Sequence, residues 1–318
     1  MTFNSSNLTI SKTEIYIHKE ANAILQKARI VSEKLGIIEE DLYRGHSTMT
    51  NYLYINSPIQ KMVNALVTYD VFYFLDDFFG EDTNTGQLPD LTKILEIWKG
   101  EKTHHSKNTK IDKLYASIGY ISMALREDSP QSFFKKYTNS VIEHLSFSLT
   151  KKKYTTVNEY IAIRLMTGGM YPVMNLIEYV HSIYLTKEMI NNNELYIKEL
   201  QEQCALIAAL SNDIFSYAKE KHSNYNLINA YLITEEASSF SEAVSKSIRM
   251  VNDIHTNFQL TLKKSKSKLN TLLLEDKLIV EKYINALKVI VASSYHWQKI
   301  TNRYYHPENV FEDMKEIA

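Results

Sequence analysis

Apolar residues recur at three- and four-residue spacing along nearly the whole chain, and that period predicts helices throughout. Start and stop signals bracket the runs. Ser57-Pro58 places a capping residue before a proline suited to a first helical position, and the run continues to Gly80. Ser129-Pro130 opens a second run that ends at Lys151-Lys152-Lys153. Thr156 and Glu159 read as a capping box for a third. That run meets Gly168, Gly169 and Pro172, which weaken or break helices, so a kink or unwound turn is predicted there. Asn193 to His222 reads as one long helix and Glu275 to Tyr305 as the last, with surface loops at Asp82 to Pro89 and Gly100 to Lys110. No sustained alternation, internal repeat or Gly-, Ser- or Pro-rich linker interrupts the pattern. The expectation is one all-α domain, residues 1–318, of about ten helices.

Composition sharpens this picture. Eight glycines and five prolines in 318 residues leave few turn formers and favour long helices. A formal charge of −1 sets up no global field, so neither nucleic acid nor a membrane is expected as a partner. A polyanionic substrate would have to meet a local positive site. The lone Cys204 excludes an intrachain disulfide framework and fits a reducing compartment. Met1 to Ser11 lacks the basic start and apolar core of a signal peptide, and no apolar run is long enough to span a bilayer. A cytoplasmic protein is expected.

Two polar clusters break the apolar pattern. In LSNDIFSYAKEKH, Asn212, Ser216 and Glu220 lie four residues apart, so on a helix they stack along one face. An amide carbonyl, a hydroxyl and a carboxylate in a row suit the hard-oxygen preference of Mg²⁺. The preceding Ala205 to Leu210 is apolar all round and therefore buried, and a buried helix that turns polar on one face lines a cavity. Upstream, VTYDVFYFLDDFFGED sets Asp76 and Asp77 within an aromatic and aliphatic run, where a bare carboxylate is costly. Glu81 shares a face with Asp77 if the helix persists past Gly80. A solvated acidic helix end and a solvated polar stripe are the bland alternatives. The flanking Tyr69, Phe72, Tyr73, Phe74, Phe78 and Phe79 favour a metal site at the mouth of an apolar cavity. Two oxygen clusters point to divalent metal and a polyanionic substrate.

Together DDFFGE and NDIFSYAKE resemble the paired metal motifs of a class I terpene synthase of the bacterial type, and the match extends over most of the chain. The motifs begin 136 residues apart, at Asp76 and Asn212. Arg164 matches the family's diphosphate-sensing arginine and Gly168 its effector residue at a helix break, with Thr167 as the linker between them. Arg164 precedes Asn212 by 48 residues, two more than usual, which a longer helix connection would explain. Arg303-Tyr304 matches the C-terminal arginine-tyrosine pair, with Trp297 six residues before it. The departure is Gly80 at the fourth position of the first motif, which moves its acidic third residue to Glu81.

The resemblance implies a single-domain class I terpenoid synthase-like helical bundle around an apolar active-site cavity, using three Mg²⁺ ions. It implies metal ligands among Asp76, Asp77, Glu81, Asn212, Ser216 and Glu220, with Asp76 foremost in the first motif and Asp77 held against Arg164. Arg164, Lys219, Arg303 and Tyr304 would meet the diphosphate, and Phe72, Tyr73, Thr167 and Trp297 would line the cavity. The implied substrate is an isoprenoid diphosphate of C15 or C20, farnesyl or geranylgeranyl, and the family often forms homodimers. Singly, each feature has a plainer reading. Arg303-Tyr304 could end a helix, Lys219 could be merely exposed, the Gly168-Gly169 pair could be a packing kink and Trp297 could be core. The tandem His104-His105 and Lys151 to Lys153 read as surface. A catalytically degenerate helical protein that binds isoprenoid diphosphate is the alternative of another class. A prenyl diphosphate synthase would carry a second aspartate-rich motif where this chain has Asn, Ser and Glu.

Overall fold

The computed structural model describes residues 2–10, 15–38, 48–79, 88–148 and 152–315, with the side chains of 76, 77 and 79 left out. The fold is all-α. Among the described residues the helices are α1 (Ala21–Leu35), α2 (Thr50–Leu53), α3 (Ile59–Phe79), α4 (Leu91–Trp98), α5 (Lys110–Glu127) and α6 (Gln131–Ser148). They continue as α7 (Val157–Thr167), α8 (Met170–His181), α9 (Lys187–Asn191), α10 (Ile197–Glu220), α11 (Leu227–Ile233), α12 (Phe240–Lys268) and α13 (Leu274–Ile300). The only β pairing among these residues is an isolated parallel bridge between Phe3 and Phe311.

Caps explain the starts. Thr109 and Asp112 form a reciprocal capping box on α5, and Asp90 accepts from the first amides of α4. Thr156 caps α7 through the Glu159 amide, but the Glu159 carboxylate reaches back to the amide and hydroxyl of Thr155 rather than to Thr156. The polar box is therefore shifted by one residue from the expected one.

Two compact units divide the chain: one from Met1–Ile15, Glu143–Met174 and Leu185–Ala318, the other from Tyr16–Ile142 and Asn175–Tyr184. In the second, α3 lies against α1 and α5, and α4 against α5. Its interior is aromatic: Trp98, Phe133, Tyr137 and Tyr179 are almost fully buried, and Phe133 stacks on both Tyr137 and Tyr179. In the first unit α10 is the central helix, packed by α7, α11, α12 and α13. Residues Cys204 to Ser211 are buried without interruption, as the apolar run predicts. Each fully buried Leu or Ile there contributes about 1.5–3 kcal/mol relative to exposure, which anchors α10 in the core of this unit.

Candidate functional site

The polar face of α10 emerges from that buried segment. Asn212 and Glu220 are half-buried, Ser216 is buried and Lys219 is exposed. The Ser216 hydroxyl donates to the Asn212 carbonyl at 2.8 Å, leaving its lone pairs as acceptors. One Glu220 oxygen accepts from Asn226 Nδ2 at 3.1 Å. Amide, hydroxyl and carboxylate oxygens on successive turns are a donor set that fits a hard divalent cation.

Asn212 is also the meeting point of three segments. Its Oδ1 accepts from Arg164 at 3.3 Å, and its Nδ2 donates to the Tyr304 hydroxyl at 2.6 Å. Arg164 projects from α7 and also donates through Nε to Asp213 Oδ1 at 2.9 Å. Asp213 lies about 100° around the helix from Asn212 and turns toward α7 and α11. Its side chain is 0% exposed, and its Oδ2 accepts from the Tyr160 hydroxyl at 2.5 Å and from the Leu227 amide at 3.2 Å. Burial pushes the Asp213 carboxyl up, to about 6, and the adjacent Arg164 charge keeps it from rising further. For Arg164, burial opposes the charge but Asp213 and its neighbours outweigh it, so the guanidinium stays protonated. Asn226, the buried cap of α11, donates to both the Asp213 carbonyl (2.7 Å) and Glu220. The sequence places Asp213 in the second motif with Asn212, Ser216 and Glu220 but names no partner for it, and it gives Tyr160 and Asn226 no role. Two signals were present: Tyr160 stands one turn before Arg164 on the same face, and Asn226 precedes an apolar run as a capping residue does.

The C-terminal pair does not lie on the last helix. α13 ends at Ile300, Thr301 turns extended, and its hydroxyl accepts from the Arg303 amide at 3.4 Å. Arg303 and Tyr304 then form a 3₁₀ turn, not the helical end at Tyr305 expected from periodicity. Tyr304 is buried, and Trp297 meets it edge-on with ring centroids 6.1 Å apart. Arg303 Nε is buried without a hydrogen-bond partner. An unsatisfied buried donor on a cation is what an incoming anion would use.

The predicted helix break is present. α7 ends at Thr167, whose hydroxyl back-bonds to Ile163 O at 3.1 Å, and Gly169 takes φ +68°. Pro172 lies in the first turn of α8, where a missing N–H costs little, so the break belongs to the glycines. A Cβ on Gly168 would sit 2.9 Å from Ala209 Cβ, so this residue is also a close-packing point against α10. Residues Ile163 to Gly169 are all half-buried.

The first motif is only partly visible. Asp76 and Asp77 lie in the last turn of α3, as expected, but their side chains and all of Glu81 lie outside the described residues. The expected Asp77–Arg164 pairing lies outside them too; Asp213 is the described partner of Arg164. Phe72 and Tyr73 are half-buried in the second unit. Phe72 stacks on Trp98 at 5.8 Å, and Tyr73 is tilted against Tyr69 at 6.4 Å. His104 is not a plain surface residue: it pairs with Asp112 at 2.8 Å and rests edge-on against Tyr115. His105 is exposed, Lys151 lies outside the described residues, and Lys152 is half-buried with Nζ 3.5 Å from the Phe147 ring centroid. No described helix is long and apolar enough to cross a membrane.

Comparison with known proteins identifies the family and the fold. The family model for terpene synthase family 2, C-terminal metal binding, matches residues 68–256. Terpene synthase 1 of Physarum polycephalum is 24% identical over 306 residues, covering 91% of this chain and 87% of that one. A (+)-T-muurolol synthase of Roseiflexus castenholzii, described as cyclising (2E,6E)-farnesyl diphosphate, is 23% identical over 193 residues, 57% of this chain and 56% of that one. Among solved structures, wild-type cucumene synthase superposes with a TM-score of 0.77 at 13% identity, covering 91% of this chain and 99% of that one. The fold is thus the all-α terpenoid synthase fold, and with the family model matched over more than half its length, from the first motif through the second, the chain belongs to the metal-binding terpene synthases of family 2 and is a class I enzyme.

Proposed function

We propose that this enzyme ionises an acyclic isoprenoid diphosphate in a Mg²⁺-dependent reaction and cyclises the resulting allylic cation, releasing pyrophosphate. The observation that carries the reading is the convergence on Asn212 of Arg164 and Tyr304, from segments 48 residues before and 92 residues after it. The oxygens of Asn212, Ser216 and Glu220, with Asp76, Asp77 and Glu81 of the first motif, would hold the metal. Bound as three ions, Mg²⁺ would neutralise the departing diphosphate. Farnesyl diphosphate is favoured over geranylgeranyl diphosphate, because one relative is named for cyclising it. The whole of 1–318 acts in this reading as one catalytic domain.

The chain's own residues supply the rest. Arg164, Lys219, Arg303 and Tyr304 bind and orient the diphosphate, so that negative charge developing on the leaving group meets fixed positive charge. Asp213 and Tyr160 hold the Arg164 guanidinium in place. Phe72, Tyr73 and Trp297 offer aromatic faces to the cation, each worth about 0.5–2 kcal/mol. Thr167 would line the cavity, and the helix break at Gly168 would turn backbone dipole toward positive charge. Water must be excluded while the cation lives. The released diphosphate is the nearest base for the final proton.

Incubation with C10, C15 and C20 diphosphates, with and without Mg²⁺, followed by gas chromatography–mass spectrometry, tests this. A Mg²⁺-dependent cyclic product from the C15 substrate is expected. Folded protein that turns over none of the three would overturn the proposal.

A further inference from the structure

The segment after α13 contains a buried amide that the reading above does not use. Asn309 is 3% exposed and stands five residues beyond Tyr304. Its Nδ2 donates to the Tyr304 carbonyl at 2.6 Å and to the Phe215 carbonyl at 3.2 Å, while its Oδ1 accepts from the Phe311 amide at 2.9 Å. Phe215 is the residue directly before Ser216. One side chain therefore ties the main chain of α10, at the polar face, to the main chain of the arginine-tyrosine turn. Tyr304 is thereby anchored at both ends: its carbonyl on Asn309 and its hydroxyl on Asn212.

The surroundings hold Asn309 in that pose. Phe311 is 0% exposed and meets the Phe215 ring at 5.0 Å. The residues after it are strapped to the chain's first residues, with the Glu312 amide on Phe3 O (2.9 Å) and the Ser5 amide on Asp313 Oδ1 (2.8 Å). A buried amide is costly unless its partners are satisfied, and apolar packing alone would close this corner. Directional bonds to two carbonyls fix the relative register of α10 and the turn, which apolar packing does not.

We propose that Asn309 is a positioning residue for diphosphate recognition, setting Arg303 and Tyr304 against the face of α10 that carries Asn212 and Ser216. This rests on the diphosphate-binding reading of that face. Arg303, with its buried unpaired Nε, follows the main chain that Asn309 fixes.

Calorimetric titration of the full chain with inorganic pyrophosphate in the presence of Mg²⁺ separates the two ideas. If the wild-type protein takes up no pyrophosphate, the diphosphate reading itself falls, and this inference with it. If it binds, Asn309→Ala is expected to bind about tenfold or more weakly, as when residues supporting a ligand-binding group are removed. Ser265→Ala is the control, because its buried hydroxyl bonds Leu195 O at 2.7 Å elsewhere in the same unit. It should lose stability yet keep wild-type affinity. Asn309→Ala that is less stable but binds pyrophosphate as wild type does would overturn the proposal. Should that variant fail to fold, hydrogen exchange on wild-type protein decides. Slower exchange of the 303–311 amides with Mg²⁺ and pyrophosphate supports the positioning role, and unchanged exchange overturns it.

Discussion

Gly168→Ala isolates the point where the helix break meets the central helix. A Cβ there would lie 2.9 Å from Ala209 Cβ and 3.0 Å from the Arg164 carbonyl, closer than nearly all real Cβ atoms approach their neighbours. Neither obstacle is the flexible end of a long side chain, so backbone must move. Overpacking of this kind costs about 1–3 kcal/mol. Gly168 has φ −71°, an ordinary helical value, so the substitution recovers about 0.4–1 kcal/mol by restricting the unfolded chain. The net expectation is a loss of about 1–2 kcal/mol. At about 2.1 cal/mol/K per residue of unfolding entropy, that lowers Tm by roughly 1.5–3 °C for a chain of this length.

The stability loss alone would not prove the contact, so the assay is a double-mutant cycle with Ala209→Gly. That second change alone costs about 1 kcal/mol of helix propensity in the interior of α10. Combined with Gly168→Ala it removes the methyl being struck, and denaturant titrations should give a favourable coupling of about 1 kcal/mol or more. The displaced backbone includes the Arg164 carbonyl, so KM for the diphosphate substrate should rise in the single variant and fall back in the double. Additivity within about 0.5 kcal/mol, the scatter of independent sites, would refute the close-contact argument.

Three further expectations test the rest of the site. Asp213→Asn leaves the half-buried Arg164 charge without its carboxylate partner and should cost about 3 kcal/mol in denaturant titration, the low end for breaking a buried pair, against about 1.5–3 kcal/mol for Tyr160→Phe; a loss under about 1 kcal/mol from the first would show that the pair contributes little. Asn212→Leu and Glu220→Ala should each abolish product formation while circular dichroism stays helical, and near-normal turnover by both would remove the metal assignment. Smaller residues at Phe72, Tyr73 and Trp297 should redistribute products more than they lower total turnover, and an unchanged product profile across all three would mean that the cavity wall lies elsewhere.

Helix starts were legible in the sequence because a cap is a local signal. Thr156 and the Gly168-Gly169 break stand where their residue types put them. Ends that depend on one backbone angle were not. Asn193 to Leu195 carry no helix breaker, yet α10 starts at Ile197 because Tyr196 adopts a left-handed conformation, φ 57°, that a tyrosine's sequence context does not announce. At the other end, Thr301 leaves α13 and bonds the Arg303 amide, which puts the arginine-tyrosine pair on a tighter turn than periodicity allows.

The same distinction separates the parts of the site. Residues at intervals of four declare a shared helix face, so Asn212, Ser216 and Glu220 could be grouped from spacing. Asp213 sits inside that motif but faces away from it, and its task became visible only with its partners. Those partners, Tyr160, Arg164 and Leu227, come from two other helices 49 residues or more before and 14 residues after it. Spacing records which residues share a face; it holds nothing about which neighbouring helix the adjacent residue meets. One residue of the motif therefore serves the proposed metal face while the next anchors the guanidinium beside it. Because both lie on the one helix α10, a shift in that helix would move the proposed cation ligands and the Arg164 anchor together rather than apart.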